Sequence, residues 1–259
     1  MFRSRYHVCD LFGIPINITS SFIVLLVLFV LDFGSFSYGL AIALVLALSV
    51  TLHELAHALT ARAFGYRTRD ITLSLLGGCA SMIALPRKAS QEFLVALAGP
   101  LMSFALAGGV LLFDVLGIPV RNNFLRYVLG YAFWMNVMLG GFNLLPGFPM
   151  DGGRVFRSFA RLFTSRVKAT WLAMVVGRVA AVLLVFGPAL GIHHIWIIPI
   201  GGNFFMRALI AWMIWQEGYR EYAQALAEGE WGGRWDFSAR VSPPPYGGDE
   251  DETEVRRGR

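Results

Sequence analysis

The chain has 259 residues, of which 56% are hydrophobic and 15% charged. A soluble domain carries about 25% charged residues, so with a mean hydropathy of +0.58 this composition excludes a disordered chain and argues against an ordinary soluble enzyme. The net charge of +5 lies between apolar runs, which fits membrane topology better than nucleic-acid binding. The two cysteines, Cys9 and Cys79, exclude a disulfide scaffold or a cysteine-rich metal site.

Met1 to Cys9 carries no cleavable signal pattern, so residues 1–17 read as a cytosolic N-terminus followed by a retained span. A turn-like Gly34–Gly39 break divides the next apolar stretch into spans at about 18–36 and 39–63. Asp70 to Met82 alternates weakly and holds Gly77-Gly78, which predicts a short β-hairpin or re-entrant piece. A third span follows at 93–116 and a fourth at 127–145, ended by Pro146, Gly147 and Pro149. Residues 152–166 are arginine-rich and read as an amphipathic surface helix. Spans five and six fall at about 170–190 and 195–216, the sixth interrupted by Pro199 and Gly201-Gly202. From about 228 the chain turns Gly-, Pro- and acid-rich and reads as a disordered cytosolic tail. The predicted fold class is therefore an all-α integral membrane protein. Its six-span domain covers 18–227, with a short hairpin after the second span and the active-site helices at about 39–63, 93–116 and 127–151.

Charge asymmetry sets the orientation. With the N-terminus inside, the cytosolic segments hold eighteen of the 22 basic residues and the outer loops only Arg121 and Arg126. Both termini are predicted cytosolic.

The sharpest feature is His53-Glu54-Leu55-Ala56-His57. Histidines at i and i+4 share one helix face, so both imidazoles can bind one zinc ion. The intervening glutamate can serve as general base toward a water activated there. Chance yields the pattern roughly 0.003 times in a chain of this composition. Gly39 to Ala61 holds no other ionisable residue, and ionisable groups at membrane depth mark function. The bland alternative is a pair of histidines bonded to neighbouring helices.

A catalytic zinc usually takes three protein ligands. His7, His193 and His194 lie in or near loops. Asp151 is better placed, because it ends the fourth span at the depth of the histidine pair. Its bland reading is an N-cap for the following helix. Asn136 and Asn143 share a face of the fourth span and read as candidate substrate-binding groups or as interhelical bonds. The 70–85 hairpin could pair with an extended substrate or simply lie at the surface. Arg178 and Arg207 read as snorkelling residues.

His53-Glu-Leu-Ala-His57, Gly77-Gly78-Cys-Ala, Ala98-Gly99-Pro100 and Asn143-Leu-Leu-Pro-Gly-Phe-Pro-Met-Asp151-Gly-Gly-Arg154 together resemble the site-2 protease family of intramembrane zinc metalloproteases, over about residues 15–220. The resemblance implies His53, His57 and Asp151 as ligands of one Zn2+ per chain, and Glu54 as general base and acid. It implies cleavage within or near the membrane spans of other proteins. By the same resemblance the substrate is a membrane-spanning protein such as a membrane-tethered regulator or anti-sigma factor, and the setting a prokaryotic plasma membrane. Partners are thus a protein substrate and the lipid bilayer, with no nucleic acid. Family members often carry Asn a few residues after the Gly-Pro; here that place is Ser103. The chain after the sixth span is too short for a PDZ domain or a paired nucleotide-sensing module. Two other classes compete: a catalytically silent membrane scaffold or chaperone, and a metal transporter using His and Asp as a transit site.

Overall fold

The computed structural model describes residues 5–74, 77–82, 86, 88–191, 194–195, 198–199 and 204–231. It opens with β1 (Arg5–Leu11) and β2 (Ile14–Thr19), an antiparallel hairpin. Phe12 and Gly13 make the turn with φ of 53° and 76°. Positive φ at both central residues matches the right-handed twist of the strands. The hairpin adds secondary structure to the segment 1–17, for which the sequence reading gave none. The signal was present, since Ile14, Ile16 and Ile18 alternate with Pro15, Asn17 and Thr19, and Ile14 and Ile16 are buried.

Two further strands, β3 (Thr68–Ser74) and β4 (Gly77–Met82), form the expected hairpin. β3 pairs parallel to β2, giving a four-stranded sheet in the order β1-β2-β3-β4. The fold is mostly helical with this sheet attached, so it is not purely all-α.

Among the described residues there are seven α-helices. They are α1 (Ser20–Asp32), α2 (Phe36–Ala63), α3 (Ala89–Val115), α4 (Asn123–Asn143), α5 (Asp151–Ala160), α6 (Arg166–Phe186) and α7 (Phe204–Trp231). Of these, α1 and α2 pack on the sheet. Side-chain caps start several of them: Thr19 accepts from Phe22 N, Asn122 from Leu125 N, and Ser165 from Lys168 N. Among the described residues, α2, α3 and Arg166–Leu190 are long and apolar enough to cross a membrane by length and composition alone. The chain is therefore a membrane protein with at least these three apolar helices. α1, at 13 residues, extends only about 20 Å. α7 is described from Phe204 on, and the expected start at 195 is not helical, Pro199 opposing helix there. His194–Ile195 instead pairs with Ile198–Pro199; His193 and residues 200–203 lie outside the described residues. α7 also runs through Trp231, past the expected start of the tail, whose remainder likewise lies outside them.

The largest apolar core joins sheet to helices. Ile14, Ile16, Phe22, Val50, Leu55, Ala58, Ile71 and Leu73 pack together. It fixes the C-terminal half of α2, where the histidines sit. Glycines let helices touch closely elsewhere. A Cβ on Gly39 would sit 2.7 Å from Val30 Cα of α1, and one on Gly147 equally close to Gly177 Cα of α6. Many large apolar side chains face outward, including Leu44, Leu48, Leu101, Trp134, Val179 and Trp212. Polar ones such as His53, Glu92, Ser103, Asn136 and Arg157 are buried. That inversion suits a lipid surroundings.

Candidate metal centre

α2 carries His53 and His57 one turn apart, both buried. The loop after α4 passes through a cis Phe148–Pro149 bond and delivers Asp151 to the start of α5. Asp151 is not the N-cap; that position is Met150, and no side chain caps the helix. The Asp151 carboxylate turns to the histidines instead. Its Oδ2 lies 3.1 Å from His53 Nε2 and 3.1 Å from His57 Nε2. One ligand atom from each of the three falls within 4.8 Å of the others.

The far ring nitrogens are also held. His57 Nδ1 donates to Val95 O at 2.7 Å, and His53 Nδ1 lies 2.9 Å from Ser103 Oγ. With Nδ1 carrying the proton, each Nε2 is free to accept a metal, the usual support for a ligating histidine. α3 supplies both partners, and it also supplies room. A Cβ on Gly99 would collide with His57 Nε2 and come within 2.6 Å of His53 Nε2. Bare backbone at Gly99 keeps the space between the imidazoles open. Two imidazoles and a carboxylate suit zinc and leave a coordination position for water or substrate. The site therefore fits zinc by donor chemistry, tautomer and space.

Glu54 lies beside the pair, against β4. A Cβ on Gly78 would stand 2.7 Å from Glu54 Cδ and 2.8 Å from Oε1. A cavity of about 520 Å³ joins these parts and is lined by His53, Glu54, His57, Gly78, Asn143 and Asp151, with α7 closing it through Ile210, Met213 and Ile214. Of the two candidate asparagines, Asn143 lines this cavity and donates to Leu139 O. Asn136 is outside the lining and donates to Ser49 Oγ at 2.9 Å and to Ala132 O at 2.8 Å, tying α4 to α2.

The sequence reading missed a second buried cluster. Arg157 of α5 donates through Nε to Glu92 Oε1 at 2.8 Å, again through Nη2 to the same oxygen, and through Nη1 to Glu221 Oε2 at 2.7 Å. Arg161 Nη1 adds a bond to Glu92 Oε2 at 2.8 Å. The Arg157 guanidinium also lies 5.0 Å over the Phe148 ring. Burial disfavours its charge, but the Glu92 and Glu221 carboxylates outweigh that and raise its pKa above the ordinary arginine value. This network clamps α5 between α3 and α7 and so fixes the element that presents Asp151. The stretch 152–166 is thus not a plain surface helix: α5 ends at Ala160 and buries Arg157. Glu92, a lone acid at the start of an apolar helix, was the available signal.

A family profile described as "Peptidase family M50" matches residues 41–120 and 113–187. A zinc metalloprotease of Methanocaldococcus jannaschii is 37% identical over 181 residues, covering 68% of this chain and 51% of that protein. A Synechocystis protein provisionally named as a zinc metalloprotease is 35% identical over 229 residues, covering 83% of this chain and 59% of its own. The chain thus spans little more than half the length of these relatives. Among solved structures, the site-2 protease from Methanocaldococcus jannaschii superposes with a TM-score of 0.58 at 26% identity, over 85% of this chain and 95% of that one. By its motifs, its profile match and this fold, the chain belongs to peptidase family M50, the site-2 protease family.

Proposed function

We propose that the protein is an intramembrane zinc endopeptidase. The observation that carries this reading is the convergence of His53, His57 and Asp151 in one cavity with Glu54. Those three residues would hold one zinc ion per chain. Zinc, when bound, supplies Lewis acidity toward a peptide carbonyl and lowers the pKa of water to about 7. Glu54 takes a proton from the attacking water on its carboxylate and returns it to the departing amine nitrogen. Asn143, in the cavity wall, holds the substrate backbone. The bond from Asn136 to Ser49 favours a supporting role between helices for that residue.

A substrate helix must unwind before its carbonyls can react. β4 ends the sheet order and abuts Glu54 through Gly78, so its free edge can pair with an extended substrate strand. Six spans, namely α1 to α4, α6 and α7, cross a prokaryotic plasma membrane with both termini cytosolic. The arginine asymmetry supports this orientation. The substrate class is single-span membrane proteins, such as a membrane-tethered regulator or an anti-sigma factor, cleaved in regulated intramembrane proteolysis. Residues 18–227 make up the peptidase domain.

The test is co-expression of tagged single-span proteins with wild type or Glu54→Gln. Fragments that require wild type and vanish with chelator support the reading. Equal cleavage by both forms removes Glu54 from the mechanism. Zinc bound without cleavage of any substrate favours a silent scaffold, and metal flux across vesicles favours a transporter.

A further inference from the structure

Arg178 lies inside the apolar Arg166–Leu190 stretch, about 18 Å of helix from the start of α6 and about 12 Å from its end. Snorkelling carries an arginine along its own helix toward the nearer end; this side chain turns to a neighbouring helix instead. The guanidinium crosses to α7 and stacks 4.4 Å over the Trp215 ring. Among the described residues it has no ion pair, and its Nε is buried without a hydrogen-bond partner. A cation–π contact offsets only part of the cost of an arginine within an apolar span.

The surroundings are an outward face. Trp171 stands seven residues before Arg178 and Val182 four after it, so all three share one stripe of α6. Trp171, Val182, Trp212 and Trp215 are all exposed. Ile214, which lines the active-site cavity, points elsewhere from α7. The stripe is therefore separate from the metal centre.

We propose that Arg178, framed by these tryptophans, docks a transmembrane helix of another membrane protein that carries an Asp or Glu at the level of the guanidinium. Charge complementarity selects this occupant: a guanidinium fork binds a carboxylate through two parallel hydrogen bonds, and polar groups within membranes pair with one another. A second copy of the chain fits less well. Asp32 and Asp114 lie at the ends of α1 and α3, Glu54 lines the cavity, and Glu92, Glu217 and Glu221 are paired with arginines. The inference rests on α6 spanning a membrane and is independent of the peptidase reading.

The test uses the full chain in phosphatidylcholine vesicles with a labelled Leu/Ala transmembrane peptide bearing one central Glu, or Gln in its place. Association is read by fluorescence energy transfer. Wild type is expected to bind the Glu peptide about tenfold more tightly than the Gln peptide. Arg178→Gln, with a Tm matching wild type, is expected to lose that preference. Should that variant fail to fold, Arg178→Met takes its place. No preference in wild type, or a preference that survives the loss of the arginine, overturns the proposal. So does an Arg178→Gln effect seen only as a change of helix depth in anionic vesicles, which would make Arg178 a lipid anchor.

Discussion

Arg157 and Arg178 are both arginines of a largely apolar molecule, yet their settings are opposite. Arg157 is 2% exposed and bonded to two carboxylates and an aromatic ring. Arg178 has an indole and no carboxylate among the described residues. The difference separates a finished interior from an open surface. In the centre built from α2, α3 and α5, the ring nitrogens of His53 and His57, the Asp151 carboxylate and the Arg157 guanidinium all have partners. That is what holding a metal site rigid requires. On the α6–α7 face Arg178 is left without a carboxylate among the described residues, within the apolar run of α6.

Perturbing the two regions should therefore give different outcomes. The largest effect is expected at Glu54. Glu54→Gln should lower the cleavage rate about 10²- to 10⁴-fold while zinc content stays at the wild-type level. Next is Arg157→Gln, which leaves Glu92 buried with less compensation. Thermal or denaturant unfolding should show a loss of about 3–5 kcal/mol, with weaker zinc retention as α5 loosens. The matching change on the other face, Arg178→Gln, should move stability by no more than about 0.5 kcal/mol. Equal losses from Arg157→Gln and Arg178→Gln would erase the distinction. Ser103→Ala should weaken zinc affinity about 10- to 100-fold by freeing the His53 ring, measured by competition with a chelator of known affinity. The smallest effect is expected from Asn136→Ala, about 0.6 kcal/mol for one interhelical hydrogen bond, with kcat hardly changed.

The readable parts of the sequence were those set by local spacing. The i, i+4 histidines dictate one helix face, and the Pro-Gly-Phe-Pro run dictates a break that can carry Asp151 out of a helix. The structure places both as that logic requires. Supports that come from another helix were not readable. Nothing local to Val95 marks its carbonyl as the partner of His57, because that contact spans 38 residues. Ser103, in a place where Asn was expected, gave no sign that a hydroxyl would reach His53. Arg157 read as one of several surface arginines, since its two glutamates lie 65 and 64 residues away. At the N-terminus the fault was different. Alternating isoleucines and a Phe-Gly turn mark a β-hairpin there, directly before a longer apolar run with a stronger pattern.

The most direct test of the central claim is the metal content of purified protein, measured by mass spectrometry beside Asp151→Asn and Glu54→Gln. The account predicts one zinc per chain in wild type and in Glu54→Gln, and a clear loss in Asp151→Asn. Full zinc in Asp151→Asn, or loss in Glu54→Gln, would contradict the assignment of His53, His57 and Asp151 as the ligands and Glu54 as the base.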